Sequence, residues 1–170
     1  MEYRDIYDKN KQLTGKIFEK SDGVPEGYFY LMVVCFMQNN KGQFLMQKRV
    51  PEKDGKWATT GGHPKAGENS LTGMITEIKE ELGINVNPNE LQLFKEAKGK
   101  NSFCDLYYLK KDIDIKDITI QEEEVETVSW LTLDEINNLF ENGQFNKGHY
   151  MMLQDCLKFL NKKKMVNLLD

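Results

Sequence analysis

The stretch Gly61-Gly62-His63-Pro64-Lys65-Ala66-Gly67-Glu68-Asn69-Ser70-Leu71-Thr72-Gly73-Met74-Ile75-Thr76-Glu77-Ile78-Lys79-Glu80-Glu81-Leu82-Gly83-Ile84 decides how the chain is read. Its first part, with Gly61, Gly62, Pro64 and Gly67, predicts a loop. From Asn69 or Ser70 to Leu82 the spacing predicts a helix, ended by Gly83. With Leu71 at zero on a wheel of about 100° per residue, Met74, Ile75, Ile78 and Leu82 fall within roughly 60° of it and form a buried stripe. Glu77, Glu80 and Glu81 fall at roughly 240°, 180° and 280°, one acidic arc beside the core face. Gly73, one turn above Glu77, is read as leaving room over the carboxylates.

Such an arc works against the helix. Glu77 stands at i, i+3 to Glu80 and at i, i+4 to Glu81, and like-charge pairs cost a few tenths of a kcal/mol each. The three also crowd the C-terminal half, where the helix dipole disfavours anions. A divalent cation reverses the sign of both effects, and hard oxygen ligands at this spacing suit Mg²⁺ or Mn²⁺. A solvated acidic face is the plainer alternative.

Working outward, Asp5–Asp8 and Leu13–Ile17 read as short strands around a polar turn at Lys9-Asn10-Lys11. Phe29–Gln38 and Gln43–Arg49, joined by Asn39-Asn40-Lys41-Gly42, read as a hairpin. Strands are expected near 91–97, 103–110 and 126–131. Thr132 with Glu135 forms a capping box that opens a short helix to about Glu141. A last helix covers roughly His149–Lys163, with Lys158, Lys162, Lys163 and Lys164 in its final turns, where cations suit the dipole. The C-terminal helices thus occupy about 132–164. Without strict βαβ alternation, the elements favour an antiparallel or mixed sheet with helices on its faces.

The whole chain bounds the rest. Its 170 residues fit a single domain, 1–170. A net charge of −4 with no basic tract argues against a nucleic-acid polymer as partner. The longest apolar run, Tyr28–Met37, is too short to span a bilayer, and the charged start lacks a signal-peptide core. A cytoplasmic protein with no membrane association is expected. Cys35, Cys104 and Cys156 are far apart, form no CxxC pair, and read as buried free thiols.

Gly62, Glu68, Glu77, Ile78, Glu80, Glu81, Gly83 and Ile84 resemble the Nudix box of the MutT-like pyrophosphohydrolases: G, five residues, E, seven residues, R-E-aliphatic, one residue, E-E, one residue, G-aliphatic. Eight of nine fixed positions match, over a box of residues 62–84. The departure is Thr76 where the family has Arg, a residue thought to brace the glutamates. The resemblance spans roughly residues 3–140 and implies an α/β fold, a Nudix-like α/β/α sandwich around a mixed sheet. It implies hydrolysis of a diphosphate linkage in a small molecule, such as a nucleoside diphosphate derivative, with Mg²⁺ or Mn²⁺ as cofactor. On this reading Glu77, Glu80, Glu81 and the Gly61 carbonyl hold metal, and Gly62 and Glu68 support the loop. Glu77 and Glu81 act in catalysis. Glu77 or a carboxylate of another loop is the base, with Glu123 of Gln121-Glu122-Glu123-Glu124 as the choice. Lys48 and Arg49 are candidates for phosphate binding, or else a surface strand end. Trp57 is assigned to core or loop packing, His149 to structure, and His63 to a hydrogen bond within its loop.

Two other readings remain open at this point. Thr76 could mark a Nudix domain that binds a nucleotide without hydrolysing it. Trp57–Pro64 followed by Gly67-Glu68 also looks like type 1 isopentenyl-diphosphate isomerases. Those need a Cys where Gly61 stands, histidines upstream of His63, and a glutamate pair where Lys100 and Ser102 fall. Met151, Met152, Cys156 and Phe159 on the last helix leave a homodimer open.

Overall fold

The computed structural model describes residues 1–170. It contains nine strands and three α-helices: β1 Tyr3–Tyr7, β2 Leu13–Glu19, β3 Tyr30–Gln38, β4 Phe44–Arg49, β5 Trp57–Ala58, β6 Thr60–Gly62, α1 Ser70–Leu82, β7 Gln92–Lys98, β8 Ser102–Lys110, β9 Val125–Leu131, α2 Leu133–Glu141 and α3 Lys147–Leu169. The fold is an α/β/α sandwich around a mixed sheet.

Strand alternation sorts the core. Leu31, Val33, Cys35 and Met37 of β3 face α1, where Met74, Ile78 and Leu82 are buried and Leu71 and Ile75 pack at the margin. Val34 and Phe36 face the other way, onto Ile136 of α2 and Leu153 and Cys156 of α3. A strand buried on both faces reads as a continuous apolar run, as Tyr30–Met37 does. All three cysteines are free and buried, as expected.

The hairpin expected of β3 and β4 is corrected. Its turn forms, but the strands pair at a single position, Gln38 with Phe44. They then part. β3 runs parallel to β8 along nine positions and antiparallel to β6 on its other edge. β4 pairs antiparallel with β5 and β9. The sheet therefore opens like a V from residues 38 and 44. The gap is filled by Thr60–Gly62, within the stretch Thr59–Gly67 that the sequence predicts to be loop. Glycines carry no strand propensity of their own, and here an open β3 edge recruits them.

α1 keeps its expected limits. Asn69 caps it in a reciprocal pair with Thr72, and Gly83 ends it at φ 67°, with its N–H donating to Lys79. The Thr132–Glu135 capping box also forms. α3 is longer than expected: it begins at Lys147 under an Asn146 cap and continues to Leu169. Lys158, Lys162, Lys163 and Lys164 therefore do not sit at its negative end, and that reading is corrected. They are exposed along its length. No helix is long and apolar enough to cross a membrane.

The β1–β2 hairpin is tied to the box loop. Ala66 N–H donates to the Tyr3 carbonyl at 2.8 Å, and Gly67 N–H to Asp5 Oδ2 at 2.8 Å. On its far side Lys11, at φ 62°, reaches the buried Asp105 at 2.6 Å.

Candidate active site

The mouth of the V holds the acidic arc. α1 crosses it so that Glu77 and Glu81 turn inward, while Glu80, one residue before Glu81, is exposed. Glu77 lies flat against the loop: its Oε1 accepts from the His63 N–H at 3.1 Å. A Cβ on Gly62 would stand 2.2 Å from the Glu77 carboxyl carbon, so only glycine admits this contact. Glu81 is 7% exposed, and Gln47 of β4 donates to its Oε2 at 3.1 Å. Thr60 Oγ in turn contacts Gln47 Oε1 at 3.4 Å. Glu80 pairs with Lys65.

The electrostatics follow from burial, with no salt bridge to either Glu77 or Glu81. Burial pushes Glu81 up to about 8, reinforced by the Glu77 charge and opposed by the Gln47 hydrogen bond. Burial likewise lifts Glu77 to about 7, moderated by the Lys20 ammonium and raised further by Glu80. Both are carboxylates that a cation would restore to the ionised form.

The remaining box positions hold the loop in place. Glu68 accepts from the Lys65 N–H at 2.8 Å and from the Thr76 hydroxyl at 2.6 Å. Thr76 reaches none of Glu77, Glu80 and Glu81, as expected of a residue that cannot brace them as Arg would; its hydroxyl ties helix to loop at Glu68. Gly73 does not leave room above the carboxylates as expected. It packs on Pro64, whose side chain a Cβ there would meet at 2.6 Å.

Several assignments move. Two adjoining hollows, of about 160 and 200 Å³, share Arg49, Gly61, Gly62, His63, Glu81 and Glu124. Glu124 replaces Glu123: Glu123 is exposed and lines neither hollow, while Glu124 lines both and pairs with Lys53 at 3.0 Å. Alternation along β4 separates the two cations. Arg49 lines the site and holds Asp54 at 2.9 Å, whereas Lys48 points away to Glu126 at 2.9 Å. His63 does not hydrogen-bond through its ring within the loop. The ring leans on Tyr30, centroids 5.3 Å apart, and burial, then Lys20 and Arg4, lower it to about 4. His149 is structural as expected: its Nδ1 accepts from the Thr59 N–H at 3.2 Å. Trp57 packs against the α2–α3 side of the core.

Gln47, Lys53, Lys20 and Glu2 complete the walls and were not singled out from the sequence. Gln47 had a signal, a polar residue closing the buried run Phe44-Leu45-Met46. Lys20 and Glu2 had none, because the N-terminal hairpin reaches the site only through tertiary contacts. A wider cleft of about 1150 Å³ opens beside the site and shares Glu2, Glu80 and Gln121 with it. The requirements of the isomerase reading are not met. No cysteine lines the hollows, and Lys100 and Ser102 lie at the β7–β8 turn.

In this conformation no three His, Cys, Asp or Glu side chains converge tightly enough to hold a metal ion, because Glu77, Glu80 and Glu81 are each turned to a protein partner. The donor set still fits a hard divalent cation. It is all oxygen, and neither the buried Glu81 nor the half-buried Glu77 is engaged in a salt bridge.

Comparisons with known proteins agree with this geometry. The NUDIX domain family model matches residues 30–156. The chain is 31% identical over 150 residues to an uncharacterized Nudix hydrolase of Listeria monocytogenes, covering 85% of this chain and 88% of that protein. It is 32% identical over 187 residues to an uncharacterized Nudix hydrolase of Clostridium acetobutylicum, covering 97% and 90%. Among solved structures, DR0079 from Deinococcus radiodurans shares the fold at TM-score 0.74 and 20% identity, over 89% of this chain and 96% of that one. The NUDIX domain of Shewanella oneidensis NrtR, complexed with ADP ribose, does so at 0.62 and 13%, over 84% and 94%. With the box on the loop and helix that form the site, and the family match spanning most of the sequence, the chain belongs to the Nudix hydrolase family.

Proposed function

We propose that this protein is a metal-dependent pyrophosphohydrolase that cleaves the diphosphate linkage of a nucleoside diphosphate derivative or related small molecule. The observation that carries the reading is that Glu77, Glu80 and Glu81 line one cavity beside Gly61, with Glu81 buried, Glu77 half-buried and neither of these two in a salt bridge. Burying acids this way weakens the fold unless a cation repays it.

Glu77, Glu80, Glu81 and the Gly61 carbonyl would hold Mg²⁺ or Mn²⁺. Such an ion supplies neutralisation of the diphosphate charge and a bound water of lowered pKa. The protein's own groups do the rest. The His63 N–H and Gly62 fix Glu77, Gln47 fixes Glu81, and the Thr76–Glu68–Lys65 clamp fixes the loop that carries Gly61. Glu124, at the cavity rim, is placed to take a proton from an attacking water. Arg49 and Lys53 offer donors to phosphoryl oxygens. The wider cleft beside Glu80 gives room for an organic group.

The test is a panel of diphosphate compounds with Mg²⁺ or Mn²⁺, read as released phosphate and pyrophosphate. Turnover abolished by EDTA supports the proposal. The Glu80–Lys65 pair and the lack of convergence favour a second reading, a domain that binds nucleotide without cleaving it. Metal- and nucleotide-dependent thermal stabilisation with no turnover on any compound would select that reading.

A further inference from the structure

Asp105 is a charged residue in an apolar layer. It stands on β8 between Phe103 and Tyr107, on the face that packs against α1, and is 1% exposed. Its neighbours across the sheet are Val33 of β3 and Glu96 of β7. The cation that meets it comes from the turn of the N-terminal hairpin. Lys11 Nζ donates to Asp105 Oδ1 at 2.6 Å and to Glu96 Oε1 at 2.5 Å. Lys11 is also the only residue other than glycine with a positive φ, 62°, a conformation that disfavours any side chain with a Cβ. A buried ion pair adds little stability over apolar side chains of the same size. Strained backbone persists where its surroundings hold it. Stability alone accounts for neither feature; together they fix where the hairpin turn sits. Lys98 of β7 holds the same turn, donating to the Lys9 carbonyl at 2.6 Å.

From this turn the hairpin runs to the active site. Tyr7 exchanges two backbone hydrogen bonds with Phe29, at 2.8 and 2.9 Å. Further along β1, Asp5 and Tyr3 take the N–H groups of Gly67 and Ala66 in the box loop. Past the end of β1, Glu2 lines the active-site hollow, together with Lys20. Lys11, Glu96 and Asp105 line one cavity of about 650 Å³ with Asp5, Gly67 and Glu68. The space between the turn and the box loop is therefore hollow rather than packed, and the hairpin backbone connects the two.

We propose that Lys11 and Asp105 are remote positioning residues: their ion pair clasps the hairpin over the start of α1, and the clasped hairpin holds the box loop, with Gly61 and Gly62, in register with Glu77 and Glu81. Neither residue touches the reacting groups. The inference rests on the diphosphate-hydrolase reading of the site, but the clasp itself is measurable without metal or substrate.

The test is amide hydrogen exchange of the metal-free full chain, with Tm and turnover of each variant measured beside it. Lys11→Ala combined with Asp105→Leu removes the clasp and strands no buried charge. This double variant is expected to unfold no earlier than the native protein. Exchange at the Ala66 and Gly67 amides should nevertheless be faster by about tenfold or more, with Ile78 and Leu82 of α1 near native. Its kcat should fall about tenfold with KM little changed. Lys11→Arg keeps the cation and should keep native exchange at the loop. Three results overturn the proposal. One is native exchange at Ala66 and Gly67 in the double variant. Another is equal acceleration at Ile78 and Leu82, which would make the pair a support of the whole fold. The third is native kcat despite a loosened loop. If the double variant does not fold, Asp105→Asn and Lys11→Arg decide: faster loop exchange in the first than in the second upholds the clasp, and equal exchange overturns it. A loosened loop in a protein that turns over no compound even in its native form would keep the clasp and sink the hydrolase reading. EDTA-sensitive turnover with native loop exchange in the double variant would do the reverse.

Discussion

Two helices of this protein carry charge of one sign, and they put it to opposite uses. On α1, Glu77 and Glu81 are turned into the V of the sheet, held by hydrogen bonds from His63 and Gln47 and pushed toward the neutral form by burial. On α3, Lys158, Lys162, Lys163 and Lys164 are exposed, and Lys163 reaches only Gln92 and the ring of Phe159. Both read in sequence as like-charged helix faces. Exposed like charges cost little because water screens them. Buried ones weaken the fold, and a fold that keeps them has a use for them.

The comparison is broken most severely by Glu81→Gln. This keeps the shape and a polar contact to Gln47 but removes the charge. Turnover is expected to fall at least about 100-fold, with the fold intact by circular dichroism. Near-native turnover would remove the acidic arc from the chemistry. Next, Gly62→Ala should lower kcat by roughly ten- to a hundredfold, because its Cβ would occupy the Glu77 carboxyl position. Native activity there would show that the Glu77–loop contact is dispensable.

The third effect is on stability. Glu77 and Glu81 are raised above their ordinary value of 4.5, to about 7 and about 8. Their contribution is fully present below 4.5 and is lost as pH rises through those values. His63 and His149 are lowered from 6.5 to about 4, so their contribution is complete above 6.5 and is lost as pH falls. Between pH 6.5 and 8, above the histidines and below the ordinary value of 9 of the three buried cysteines, whose thiols burial also raises, the carboxylates set the slope, and the Tm of metal-free protein should fall there. Glu81→Gln should flatten that slope, and a Tm that rises over the interval would contradict the buried-acid reading. Fourth, Glu124→Gln should reduce turnover at least tenfold, with Glu123→Gln near native; the opposite ranking would restore Glu123. Last, Lys162→Gln with Lys164→Gln should change activity less than twofold and stability by less than about 0.5 kcal/mol, and a larger loss would give α3 a role the comparison denies it.

How much of this was legible beforehand varies with how local the cause is. The limits of α1 follow from Asn69, the apolar spacing and Gly83, all within one helix, and they hold. The capping box at Thr132 holds for the same reason. The β3–β4 hairpin fails because strand pairing is a choice among partners. Nothing between residues 39 and 42 says that β6 takes the facing edge of β3 and β5 that of β4. The choice of Glu124 over Glu123 turns on which member of an acidic run faces inward. The choice of Arg49 over Lys48 turns on the phase of one strand, and composition fixes neither.

By itself the sequence determined the family, the acidic helix and the glycines that let a loop lie against it, because these depend on residue type at fixed spacing. Only the tertiary structure decided which charges are buried. It opened the sheet at residues 38 and 44, set Gln47 on Glu81 and Thr60 on Gln47, tied Thr76 to Glu68, and brought Glu2 and Lys20 from the N-terminal region to the cavity wall. Burial is a property of the assembled layers rather than of any segment, and burial is what separates a reactive carboxylate from a solvated one.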